Sequence, residues 1–89
     1  MSQATIDSIE KILNDIIYDR YLDLPDHLTR AMNVAIKRNF PTYEVVVDSS
    51  YTEEGLFVSS VEAKIDGELY IVKMCYDAGS TLCYPKDNP

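Results

Sequence analysis

His27, Cys75 and Cys83 carry the most reactive side-chain chemistry in this chain. A Cys–His pair works as nucleophile and base only when the two lie within hydrogen-bond reach and a third group orients the base. No flanking motif accompanies any of the three. His27 follows Pro25 in the first turn of an expected helix, where a lone imidazole is expected to be solvated. The cysteines are too far apart for a CxxC pair, so neither a zinc site nor thioredoxin-like redox chemistry is expected.

The carboxylates are the next candidates. Asp48, Glu53 and Glu54 border one turn that closes on Gly55. Calcium loops of the EF-hand type place ligands at alternating positions before a glycine and a closing Glu, and this segment does not. The chain holds no phosphate-cradling glycine loop, HExxH or GxSxG. The expectation is a non-enzyme with no cofactor and no metal. A small enzyme or ligand binder built on Cys75, His27 or a carboxylate is the third-ranked reading.

Charge says more than motifs. Fifteen Asp and Glu face eight Lys and Arg, for a net charge of −7. Such a surface repels phosphates, so direct nucleic-acid binding is not expected. It attracts a basic protein surface, or it serves solubility alone. Asp15, Asp19 and Asp23 recur at four-residue steps on one helix face. Like charges at that spacing cost about a few tenths of a kcal/mol per pair. Lys11 and Arg20 offset part of the row, and Asp26 extends it around the turn that follows. The row is either a solvated face or a docking edge for an Arg/Lys cluster.

Seven tyrosines form the other unusual feature. Tyr18, Tyr21, Tyr51 and Tyr84 are expected at the surface, and Tyr70 and Tyr76 in the core. Tyrosine combines a large contact area with a polar tip. Tyr18 beside the aspartate row, and Tyr51 beside Glu53 and Glu54, would suit a basic protein surface. In size and charge, though in no motif, the chain resembles phage-encoded inhibitors of nucleic-acid enzymes, the anti-CRISPR proteins and DNA mimics. That resemblance implies a partner that is a nucleic-acid-binding protein or complex.

The elements that must carry these residues follow from hydrophobic period. Ile6, Ile9, Leu13, Ile16, Ile17 and Tyr21 share one face of a helix over 6–22, with Ser2 or Thr5 available to cap its start. Pro25 suits the first turn of a second helix over 25–39, with Leu28, Ala31, Met32, Ala35 and Ile36 inward. The short link between the helices predicts an αα-hairpin. After Pro41 the period becomes two, predicting strands over 42–48, 56–65 and 68–76, with a short edge strand over 81–84. Ser49 to Gly55 reads as a polar turn and 86–89 as a tail. Asp66-Gly67 predicts a two-residue hairpin. The expected fold is one α+β domain over 1–89. Its αα-hairpin packs on one face of a three- to four-stranded antiparallel sheet.

The hairpin sets register, and register sets faces. Ala63 should meet Tyr70, Val61 Val72 and Ser59 Met74 on the helix side. Val58, Ser60, Glu62 and Lys64 should meet Cys75, Lys73, Ile71 and Leu69 on the other side. Leu56, Val58, Leu69 and Ile71 then form a partly exposed apolar patch, which marks a partner or self-association surface unless a loop or the tail covers it. Cys83 should lie opposite Met74, on the face away from Cys75, so no disulfide between them is expected. Met1 to Thr5 is polar with no apolar run after it, and no segment approaches a membrane span. A cytoplasmic chain with reduced thiols is therefore expected. The leading reading is an acidic protein-binding module that blocks a basic surface. The second is a structural or regulatory homodimer formed through the mixed sheet face.

Overall fold

The apolar stripes become the inner faces of two helices in a computed structural model that describes residues 3–18 and 25–86. Helix α1 (Gln3–Ile17) buries Ile6, Ile9, Leu13 and Ile16. It starts three residues earlier than the stripe, so Thr5 lies inside it and is not its cap. The last bond of its ladder, Tyr18 N–H to the Asn14 carbonyl, measures 3.2 Å. The expected continuation over 19–22, with Tyr21, lies outside the described residues. Helix α2 (Pro25–Asn39) spans the expected residues and carries Lys37 and Arg38 in its last turn, where cations complement the dipole. The Lys37 ammonium reaches past the helix end to donate to the Tyr43 carbonyl at 3.2 Å.

Five strands follow: β1 (Glu44–Asp48), β2 (Tyr51–Glu53), β3 (Leu56–Ile65), β4 (Glu68–Cys75) and β5 (Ser80–Pro85). All pairings are antiparallel, in the order β1-β3-β4-β5, with β2 also on β3. The α+β architecture is as the sequence predicts. The segment Ser49–Gly55, however, is not a polar turn. Val47↔Glu62 and Asp48↔Val61 continue as Tyr51↔Val58, Thr52↔Phe57 and Glu53↔Leu56 with no further shift of register. In effect β1 and β2 are one strand interrupted at Ser49 and Ser50, and the sheet is a meander of four such rows. Glu54 (φ 52°) and Gly55 (φ 81°) make the connecting loop. Asp66 (φ 51°) and Gly67 (φ 85°) make the next one. Positive φ at both central residues is the turn geometry that matches strand twist. Thr42 holds the second loop, donating to the Asp66 carboxylate at 2.8 Å and accepting from the Asp66 N–H at 2.9 Å.

Two register details differ from expectation. Between Val45 and Val47 the β1 ladder shifts by one residue. This bulge reverses the side-chain alternation. Tyr43 and Val45 face the helices, whereas Val47 turns outward and Asp48 turns toward α2. The β4–β5 loop also has the expected four residues but sits one residue earlier in the chain. Cys75 pairs with Ser80, so Cys83 lies opposite Val72 rather than Met74. That offset is two residues, which preserves the face, and Cys83 still points to the core. The strand itself runs over Ser80–Pro85, longer than 81–84.

Both helices lie on one side of the sheet. The core joins Leu13 and Ile9 of α1 and Met32 and Ile36 of α2 to Val61, Ala63, Tyr70, Val72 and Met74 of the sheet. Among the described residues no helix is long and apolar enough to cross a membrane.

Candidate functional site

Antiparallel pairing puts the β2–β3 loop, the start of β3, the end of β4 and the start of β5 at one end of the sheet. Helix α1 runs to the same end. Glu10 lies near enough to Cys83 to act on its ionisation, and one turn later Thr81 donates to Asn14 at 3.5 Å. Thus α1 is antiparallel to β5, and Tyr18, one turn beyond Asn14, approaches the β4–β5 turn. Exposed Glu53, Glu54 and Asp77 lie at this end, whereas Asp15 borders a groove between the helices with Ala35, Arg38 and Asn39. Tyr18 is 82% exposed, the most exposed aromatic ring among the described residues. Sequence reasoning misses Asp77, because its place depends on the meander and not on any spacing. Asp19 and Asp23, and the side chain of Asp26, lie outside the described residues. Tyr51 borders a cleft with Glu53 and Glu54 where this end meets the outer sheet face. Its pairing with Val58 turns its ring onto the outer sheet face, where the Lys73 ammonium sits 5.8 Å from the ring centre.

That outer face is the second surface. Leu56, Val58, Leu69 and Ile71 all point to it, as the hairpin register predicts. Leu56 is exposed and the other three are half-buried. Leu82 (48% exposed), Tyr84 (40%) and, through the bulge, Val47 (45%) extend the patch to both edges. Partial cover comes from two sources. Tyr51 lies over the Val58 end, and Lys86 crosses to Glu62 at 2.9 Å. No helix covers the face among the described residues.

A third feature has no signal in the sequence. Thr29 of α2 and Ser59 of β3 share a buried hydroxyl–hydroxyl bond of 2.8 Å. The chain continues through Thr29 to Ser50 at 3.4 Å and from Ser50 to the Asp48 carboxylate at 2.7 Å. Ser50 also accepts the Ser60 N–H at 3.1 Å. These bonds tie α2 to the interrupted part of the β1–β2 strand. An open cleft of about 630 Å³ lies above them, bordered by Arg30, Asn33 and Phe57. The hydroxyls are bonded to one another, and among the described residues no histidine or thiol borders the cleft. Thr29→Val strands the buried Ser59 hydroxyl and is expected to cost about 1–3 kcal/mol. Adding Ser59→Ala should return part of that loss, as read by thermal melts of the two variants. A double variant no more stable than the single one would show that the hydroxyl pair is not the link.

The thiols are inert by position. Cys75 and Cys83 are both free and buried, on opposite faces of the sheet. Burial, with the Glu10 carboxylate adding to it, pushes the Cys83 thiol up to about 12. Thiolate is the reactive form, so Cys83 is a poor nucleophile at neutral pH. Burial likewise pushes Tyr43 above its ordinary value, with Cys83 and Asp48 adding to the effect. Its hydroxyl donates to Asn33 at 2.6 Å. His27 is exposed at the start of α2. Among the described residues no group of three His, Cys, Asp or Glu side chains could hold a metal ion. Comparison with protein-family models, curated proteins and solved structures finds no match.

Proposed function

We propose that this chain is a non-enzymatic protein-binding module that occupies a basic surface, in the manner of a phage-type inhibitor of a nucleic-acid-binding protein or complex. The observation that carries the reading is the set of exposed carboxylates Glu53, Glu54 and Asp77 at the end of the sheet towards which α1 carries the projecting Tyr18 ring. Carboxylates around an exposed tyrosine combine long-range attraction for Arg and Lys with a ring that can be buried on contact. The net charge of −7 adds steering and turns nucleic acid itself away.

The test is capture from a cell lysate, at low and high salt, on the native chain and on a Glu53→Lys/Glu54→Lys/Asp77→Lys variant. All three residues are exposed, so the variant should fold. The expected result is a basic nucleic-acid-binding protein that salt releases and that the variant binds at least ~10-fold more weakly, given that each close charge contact is worth about 0.5–1 kcal/mol or more. A partner held equally well by the variant and at high salt would overturn the acidic-end reading.

A further inference from the structure

The outer sheet face differs in charge from the rest of the molecule. By register, the charged residues that point to it are Glu44, Glu53 and Glu62 against Lys64, Lys73 and Lys86. These three negative and three positive groups cancel, and Glu54 at the rim leaves the face at −1 on a chain whose total is −7. The acidity is therefore carried by the ends and the helical side. A basic partner gains little electrostatic attraction on the sheet face, and a second acidic molecule meets little local repulsion there.

We infer that this face is the interface of a symmetric dimer, in which a second copy of the chain packs sheet on sheet and leaves the helices on the two outside layers. The inference stands on the sheet face alone and does not require the acidic-end reading. Four strands at ~4.8 Å spacing and about eight residues at ~3.3 Å each span roughly 500 Å². Two such faces bury on the order of 1,000 Å² together, the lower bound for specific association, which predicts a weak to moderate dimer.

The two edges of the face are complementary to each other. Glu44, Lys64, Leu69 and Lys86 lie in one row, from one sheet edge to the other. A two-fold axis along the strands lays the β1 edge over the β5 edge of the second copy. Glu44 then faces Lys86 of that copy, and Val47 faces its Tyr84. Isologous contacts of this kind satisfy each patch twice. The same axis brings both acidic ends to one end of the dimer, where their repulsion opposes association at low salt.

Sedimentation equilibrium from micromolar to millimolar concentration, at low and high salt, tests this. The native chain should form dimers, and more strongly at high salt, because screening weakens the repulsion of two −7 bodies without touching apolar burial. Binding at the acidic end has the opposite salt dependence, so the two ideas fail separately. Ile71→Glu and Leu82→Glu should each weaken the dimer about 30-fold or more while circular dichroism stays native. Should either variant lose its fold, the native chain still decides. Amide shifts that change on dilution must map to the outer face of β3, β4 and β5. A monomer at millimolar concentration, a dimer that survives both variants, or dilution shifts confined to the helices would each overturn the inference.

Discussion

Leu13→Ala should lower stability by about 2–5 kcal/mol, because it opens a cavity where the two helices meet the sheet. Leu13 has no exposed surface, nor have Ile9 of its own helix and Met32 and Ile36 of α2. A chain of 89 residues has a total stability of roughly 4–13 kcal/mol. The loss is therefore a large share of the whole, and the melting temperature should fall by roughly 10 °C or more. The control is Ile71→Ala on the outer face, at micromolar concentration, where a half-buried side chain should cost about 1 kcal/mol or less. If the two variants melt alike, the helices are not packed on the side of the sheet described here.

The second large effect is loss of stability in alkali. The folded chain holds the Cys83 proton up to about pH 12, against an ordinary value of 9.0. Between those values the unfolded chain has released the proton and the folded chain has not. The unfolded state then binds fewer protons, so stability falls as pH rises. Tyr43 acts with the same sign above its ordinary 10.0, since burial also holds its proton in the fold. Its hydroxyl donates to Asn33, and ionisation removes that donor. Thermal midpoints should be flat up to about pH 9 and then drop steeply towards pH 12. Cys83→Ala combined with Tyr43→Phe should make that drop shallower, whatever its effect at neutral pH. An unchanged alkaline slope in the double variant would mean that neither group ionises against the fold.

The burial of Leu13 and of Cys83 is legible in the order of residues. Leu13 lies on the apolar stripe of its helix, and the Asp66-Gly67 loop fixes which β3 and β4 residues meet. Period two then carries the faces outward and sorts Leu56, Val58, Leu69 and Ile71 to one side. Even the two-residue offset at Cys83 leaves its face unchanged, because the alternation repeats every two residues. The hairpin at Glu54-Gly55 is harder to read. It adopts the same backbone as Asp66-Gly67, yet glutamate is an uncommon residue at positive φ, and the polar run around it resembles a loop. An alternating Tyr51-Thr52-Glu53 ahead of a glycine is the available signal.

Local period, turn chemistry and composition are enough to dictate the two helices, the change to a run of strands, the faces of the central hairpin and the acidic balance. Each of these is a property of neighbouring residues or of the chain as a whole. The remaining features arise only on assembly. The bulge at Val46 sends Val47 outward and Asp48 inward, and no local preference in three consecutive valines marks which one is extra. The Thr29–Ser59 bond joins residues far apart in the chain, and a buried hydroxyl declares its partner only when both are brought together. The acidic end is also a product of assembly. Tyr18, Glu53 and Asp77 are unrelated in spacing, and they reach one end of the sheet because α1 runs antiparallel to β5 and the strands alternate in direction.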